Sequence, residues 1–468
     1  MASSDCKSED PLELSIRNEV MARPNSRLRD QCAEQLLANF SSDDFLSLST
    51  NDEFSQHFLQ RLASMNGGAH ILFAAQHHIA VEARIARIWT VDKGLGRSRL
   101  AALFFPTGYI ANLGFWSTLP QEGDVVICDE LIHSSVDDGL RLGLVGRGRA
   151  QAKRFQHNDL DDLRRVLQAD ADAVRAGKMQ NHCVFVAVES LYGMTGDRTN
   201  LSEILALVRP FGKRVKVVVD EAHALGVFQL GLSMPPYVTP EETDEIFART
   251  ITFSGLAGAA VVVPQYVKPY LATRAKRFTF STTPTVSSFI AVDCALDMLE
   301  DGKTAALAQK LQSNIRALLH LLHTNLTGVP TCIASVPIPA PGLDDNIERS
   351  PIIPILTPFC DDESDAVALG RHLHIFHGSI VDVSSYPEVA QGIKCVRVCL
   401  TAGHSREQME ALARGVGEWA RMQLPRDAKL NDASVATRAK SLLNQCDFGL
   451  TYKAMGIIFF AMTLASCK

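Results

Sequence analysis

No Cys-x-x-Cys pair occurs among the eleven cysteines, an odd number scattered from Cys6 to Cys467. That absence excludes a zinc ribbon and a disulfide framework, and suits reduced thiols in an intracellular protein. A basic excess is missing too. The 46 Lys and Arg are outnumbered by 52 Asp and Glu, for a formal net charge of −6, whereas a nucleic-acid-binding face is strongly basic. Met1 to Pro11 is polar and acidic, so neither a secretory signal nor an Arg-rich transit peptide is expected and the expected location is cytoplasmic. The apolar stretch from Ala454 to Cys467, set between Lys453 and Lys468, is fourteen residues long. That is short of the ~20 a spanning helix needs, and it reads as a docked helix or a contact surface rather than an anchor. A phosphate loop is also lacking. Asp220-Glu221-Ala222-His223 spells a helicase motif, but a helicase needs Gly-x-x-x-x-Gly-Lys-Ser/Thr earlier in the chain. Gly302-Lys303-Thr304 comes later and has Asp297 where the leading glycine belongs.

What is present is a long, ordinary globular chain. At 468 residues, 46% hydrophobic and 21% charged, it has room for two or three domains. Short apolar strands alternate with amphipathic helices from about residue 100: strands at Ala101–Phe105, Asp124–Cys128, Ala152–Phe155, Val184–Val188, Lys216–Asp220, Thr250–Phe253 and Ala259–Val263. Strands separated by helices predict an α/β, mostly parallel, doubly wound sheet. After Pro284 the pattern changes to long helices, Val286–Leu299 and Ala305–Leu322, followed by strands near 351–356, 379–383 and 396–400 with helices at 362–376 and 405–424. The expected organisation is an N-terminal helical arm (1–53), a large domain (54–300), a smaller C-terminal α+β domain (301–424) and an extension carrying the apolar tail (425–468). No internal repeat is visible.

The run Val217-Val218-Val219 ending in Asp220 reads as a buried strand that delivers an acid to the carboxyl edge of the sheet, where ligands sit in such folds. A buried Asp there can hold the pyridinium nitrogen of pyridoxal 5′-phosphate protonated, and His223 can hydrogen-bond the ring's phenolic oxygen. The plainer alternative is an Asp capping a turn beside a satisfied His.

The surrounding motifs favour the cofactor. Thr107-Gly108-Tyr109-Ile-Ala-Asn112 combines a turn with a helix start that attracts an anion. Asp129-Glu130-Leu-Ile-His133, Phe155-Gln-His157-Asn158-Asp159, Val188-Glu189-Ser190-Leu-Tyr-Gly193-Met-Thr-Gly196-Asp197 and Thr282-Thr283-Pro284 follow in the chain. In that order, these stretches resemble the α-oxoamine synthases, from about Ser41 to Leu424, with fungal 8-amino-7-oxononanoate synthases the nearest likeness. The resemblance implies a fold-type I transferase architecture. It also implies a reaction in which a small amino acid and an acyl-CoA or acyl-carrier-protein thioester condense with loss of carbon dioxide, serving biotin or a related acyl-chain product. It further implies that Thr107, Gly108, Tyr109 and Thr252 bind the cofactor phosphate side, that His133 stacks on the ring, and that Asp220 and His223 take the roles above. A homodimer, or a heterodimer with a catalytic homologue, is the expected assembly; no nucleic acid or metal is expected.

One residue of the pattern is missing. The family's Schiff-base lysine should follow Thr252-Phe253-Ser254, and here Gly255-Leu256-Ala257-Gly258 follows instead. Loss of that lysine removes both nucleophile and base. Lys268 and Lys276 are the nearest lysines and neither is assigned the role. Gly67-Gly68-Ala69-His70 stands where Gly-Ser-Arg is usual, a serine is usual at Gly193 and an Asp at Thr195. Cys395 occupies the place of the family's carboxylate-clamping arginine, with Arg397 two residues on as the substrate candidate. Three readings follow: an active synthase, a lysine-less partner subunit as serine palmitoyltransferase has, or a lysine lost by mis-splicing. The expectation for the chain as written is weak, non-covalent pyridoxal phosphate binding.

Overall fold

The computed structural model describes residues 37–64, 71–88, 100–177, 182–228, 242, 244–275, 284–338, 348–357, 364–384 and 395–427. The expected arm before residue 37, Gly67 to His70, Lys276, Thr282-Thr283 and the tail after residue 427 lie outside them.

The described chain enters as a two-residue strand β1 (Ala38–Asn39), passes a turn, and forms helices α1 (Asp52–Ser64) and α2 (Ile71–Ile88). Strands and helices then alternate: β2 (Leu100–Phe105), α3 (Gly108–Trp116), β3 (Val125–Asp129), α4 (Ser134–Leu142), β4 (Gln151–Phe155), α5 (Leu160–Arg175), β5 (Val184–Glu189), α6 (Leu201–Val208) and β6 (Val215–Asp220). After them come β7 (Ala248–Thr252), β8 (Ala259–Pro264), α7 (Val267–Arg274), α8 (Val286–Glu300) and α9 (Lys303–Asn325).

Seven of these strands form one sheet in the order β2-β8-β7-β6-β5-β3-β4. From β4 to β7 every pairing is parallel. β8 is antiparallel to both neighbours, the one reversed strand of a mostly parallel sheet. The reason is loop length. Thr252 faces Ala259 directly, and the six residues between them close a hairpin but cannot hold the crossover that a parallel pair requires.

Alternation along the strands sorts the core into layers. Val126, Cys128, Phe185, Ala187 and Val218 pack with Ala111, Phe115 and Val136 of α3 and α4. Val125, Ile127, Val184, Val186, Val217 and Val219 pack on Leu163, Leu167 and Ile204 of α5 and α6. Strands buried on both faces read as unbroken apolar runs, and these do.

The remaining elements are β9 (Ile352–Leu356), α10 (Ser364–His377), β10 (Ser379–Ile380), β11 (Asp382–Ser384), β12 (Cys395–Cys399) and α11 (Arg406–Asp427). β11, β12 and β9 make an antiparallel sheet. Its apolar face shares one core with α9, α10 and α11 through Ile315, Leu318, Leu373, Val396 and Val416. The single strand expected over residues 379–383 is two short strands interrupted at Val381: Ser379 and Ile380 pair with β1, whereas Asp382 to Ser384 pair with β12. Among the described residues no helix is long and apolar enough to cross a membrane.

Candidate active site

Asp220 ends β6 at the carboxyl edge of the sheet, in register with Glu189 on β5 and Thr250 on β7. It shares the face of Val218, which looks toward α3. There Asn112 Nδ2 donates to Asp220 Oδ2 at 2.6 Å, and the Ala222 N–H donates to Oδ1 at 3.0 Å. Asn112 is itself held: its Oδ1 accepts from Thr250 Oγ1 at 2.9 Å, and its Nδ2 also reaches Ser135 Oγ at 3.0 Å. Asp220 is 8% exposed. The capping alternative is thus half right, since Asp220 does cap a turn through Ala222, but two accepted bonds leave lone pairs for a further donor.

His133 stands at the N-cap of α4, where its ring accepts from the Ser135 N–H and its Nδ1 lies 2.6 Å from Ser135 Oγ. Its backbone N–H donates to Glu189 Oε1 at 2.8 Å, and the Tyr109 ring stands edge-on to it, 6.2 Å away. The other carboxylate oxygen, Glu189 Oε2, is 3.7 Å from His223 Nδ1, and Asp43 Oδ2 is 4.0 Å from His223 Nε2. Burial pushes the His223 imidazole toward its neutral form, but Glu189 and Asp43 outweigh that and raise its pKa. Burial, only partly offset by His223, raises the Glu189 carboxyl. The turn after Asp220 also hides a structural acid. Glu221 is fully buried and pairs with the equally buried Arg249 at 2.9 Å.

Thr107 caps α3, its Oγ1 accepting from the Ile110 N–H at 3.3 Å. A Cβ added at Gly108 would lie 2.2 Å from Thr252 Oγ1, so only glycine lets that hydroxyl come up to the helix start. Thr252 Oγ1 is sealed from solvent and has no hydrogen-bond partner among the described residues. An unpartnered buried hydroxyl beside a helix N-terminus is a place for an anion. Tyr109, 41% exposed, directs its hydroxyl to Asp138 instead.

With this geometry, the family model for aminotransferases of class I and II matches residues 37–416. The 8-amino-7-oxononanoate synthase of Emericella nidulans is 30% identical over 418 residues, covering 84% of this chain and 91% of that protein. The chain belongs to the α-oxoamine synthase family. Aminoacyl transferase sphA of Aspergillus fumigatus is 28% identical, over 82% of this chain and 80% of its own length. Among solved structures, the serine palmitoyltransferase of Sphingomonas wittichii matches with a TM-score of 0.66 at 22% identity, covering 90% of this chain and 99% of that one. That likeness carries the fold-type I architecture.

Measured against the family run, the departures have visible local causes. At the lysine's place stands Gly255, with φ +82°, and a Cβ there would meet Asp44 Oδ1 at 2.3 Å. Asp44 is buried and fixed by the N–H groups of Leu48 and Ser49, both at 2.9 Å. Lys268 is committed elsewhere, 2.5 Å from Glu82. Gly193, where a serine is usual, lies against His223: an added Cβ would be 2.3 Å from its Cε1. Arg397 is 6% exposed on β12, donates to Gly193 O, and pairs with Asp43 at 2.6 Å and Asp382 at 3.3 Å. The neighbouring motifs also converge. His157 bridges Asp129 at 2.8 Å and Asp197 at 2.7 Å, joining three stretches the sequence shows only as separate landmarks.

Asn112, Thr250, Glu189, Asp43 and Asp44 were not singled out by their residue types. Asn112 and Glu189 sit inside recognised motifs, yet their partners come from other elements, 56 residues away for Glu189 and His133 and 108 for Asn112 and Asp220. Spacing alone carries no signal for such pairs.

Proposed function

We propose that this chain takes pyridoxal 5′-phosphate and serves an acyl transfer of the α-oxoamine synthase type. In that reaction an amino acid condenses with an acyl-CoA or acyl-carrier-protein thioester, with loss of carbon dioxide, along the 8-amino-7-oxononanoate branch. The observation that carries the reading is the unpartnered Thr252 hydroxyl against Gly108, on the same sheet edge as a buried Asp220 with a free lone pair. These residues fit the cofactor: Thr107, Gly108, Tyr109 and Thr252 would hold its phosphate, Asp220 its ring nitrogen, His133 its face and His223 its phenolic oxygen. When bound, the group supplies an electron sink for a carbanion. Asn112 orients the Asp220 carboxylate, and the Asp220 charge keeps a proton on the nitrogen it faces. His223, held protonated to higher pH than a free imidazole by Glu189 and Asp43, is a donor rather than a base. Arg397 would take the amino acid's carboxylate once Asp43 yields its place.

A second reading, a partner subunit beside a lysine-bearing homologue, is favoured by Gly255. The space its side chain would need is filled by Asp44, so no lysine stands at the family position that links the cofactor and moves the α-proton.

Absorbance after dialysis, together with release of free thiol from acyl-CoA across a panel of amino acids, tests both readings. Cofactor that binds reversibly, with thiol release only when a lysine-bearing homologue is added, supports the partner reading. Thiol release by the chain alone supports the synthase. No cofactor uptake at millimolar pyridoxal phosphate sinks both.

A further inference from the structure

On the small antiparallel unit, away from the sheet edge just described, α10 ends in the tract His372-Leu373-His374-Ile375-Phe376-His377. We propose that His372, His377 and Glu418 form a site for a divalent transition-metal cation, zinc foremost, that clamps α10 to α11. One ligand atom from each of the three lies within 4.8 Å of the other two. A tetrahedral zinc with bonds of ~2 Å spaces its ligands about 3.3 Å apart, so modest side-chain rotations close the set.

Three further observations point to a ligand. His372 is nine-tenths buried, and its Nε2 is sealed from solvent without a hydrogen-bond partner among the described residues. Leaving such a nitrogen unsatisfied is costly, and a metal bond removes that cost. His377 Nε2 lies 3.1 Å from Glu418 Oε2 but forms no aligned hydrogen bond with it. An ordinary His–Glu ion pair would therefore account for neither imidazole fully. Finally, Gly415 makes room on α11. A Cβ there would stand 2.5 Å from His377 Cδ2, so the ring can lie against the helix that supplies Glu418.

Residues five apart do not share a helix face, yet the rings of His372 and His377 are 5.2 Å apart. His377 is the last residue of α10, and Gly378 (φ +60°) turns the chain there, which brings the second imidazole round. Two imidazoles and one carboxylate suit zinc, cobalt or nickel; magnesium and calcium prefer all-oxygen sites. With Glu418 partly exposed, a coordination position remains for water.

The test uses the full chain, purified without a histidine tag and stripped with chelator. Co²⁺ titration followed by visible absorption, and Zn²⁺ titration by calorimetry, should show one saturable equivalent with a tetrahedral cobalt spectrum. His372→Gln and Glu418→Gln should each weaken binding by about tenfold or more, since even outer-shell losses do that much. His374→Gln, whose ring is outside the cluster, should leave it unchanged. Circular dichroism checks folding, and Glu418→Gln alters a half-exposed side chain should His372→Gln misfold. No saturable binding, or binding indifferent to both substitutions, overturns the proposal.

Discussion

Three positions, Asp220, Gly193 and Gly255, set what the site tolerates. Asp220→Ala removes the group that would face the cofactor's ring nitrogen and takes away one of Asn112's partners, leaving Ser135 and Thr250. Removing one member of a buried charge pair costs at least about 2 kcal/mol, so cofactor affinity measured by equilibrium dialysis should fall by ~30-fold or more. Gly193→Ser, though it installs the residue usual in the family, puts a Cβ into the His223 ring. Overpacking of that kind costs about 1–3 kcal/mol and should lower the melting temperature as well as cofactor affinity. Gly255→Lys should not restore a covalent enzyme. A side chain at φ +82° overlaps Asp44, and the left-handed backbone alone costs about 1–2 kcal/mol. Thermal scanning should show a destabilised protein, and borohydride treatment should leave no cofactor on residue 255 by mass spectrometry.

Between elements, two buried charge clusters bind the strand ends together. Glu221 and Arg249 join the turn after β6 to β7, both nearly inaccessible. Glu221→Gln removes the carboxylate that faces the buried guanidinium and should cost about 3–5 kcal/mol in urea unfolding, while Glu221→Leu with Arg249→Met should recover most of it. His157, on the loop after β4, is pulled down by burial but lifted well above the usual imidazole value by Asp197 and Asp129. Its stabilising contribution is complete below ~6.5, the pKa it has unfolded, and is lost as pH rises through the higher folded value. Unfolding midpoints should therefore decline above neutrality, and His157→Gln should flatten that slope. Element positions were largely readable in advance because apolar runs of this length have one use: α8 starts at the expected Val286 and passes Leu299 by one residue, and β6 gains only Val215. The direction of β8 was legible only in the short loop before it, since a strand buried on both faces has the same composition either way. The placements of His133 before α4 and of Asp220 and His223 at the end of β6 were legible because the chemistry expected of them needs those residue types at a strand or helix end. Asp43 and Asp44 were not, because nothing local distinguishes them from solvated acids.

For the whole molecule, the proposed pairing of chains has a physical handle. Leu59 on α1 and Ile79 on α2 are 59% and 65% exposed, on helices that both pack against α8. Light scattering after size exclusion should give twice the chain mass, and Leu59→Glu with Ile79→Glu should shift it toward one. A monomer for the unaltered chain removes the claim. The lone reversed strand matters at another moment in the protein's life. β2 sits at the sheet edge with β8 as its neighbour, and Phe105 meets Ala259 across more than 150 residues. At ~5–20 residues per second of synthesis, the ribosome delivers β8 about 10–30 s after β2. During that interval β2 has no partner to pair with, and its apolar run is open to chaperones or to neighbouring nascent chains.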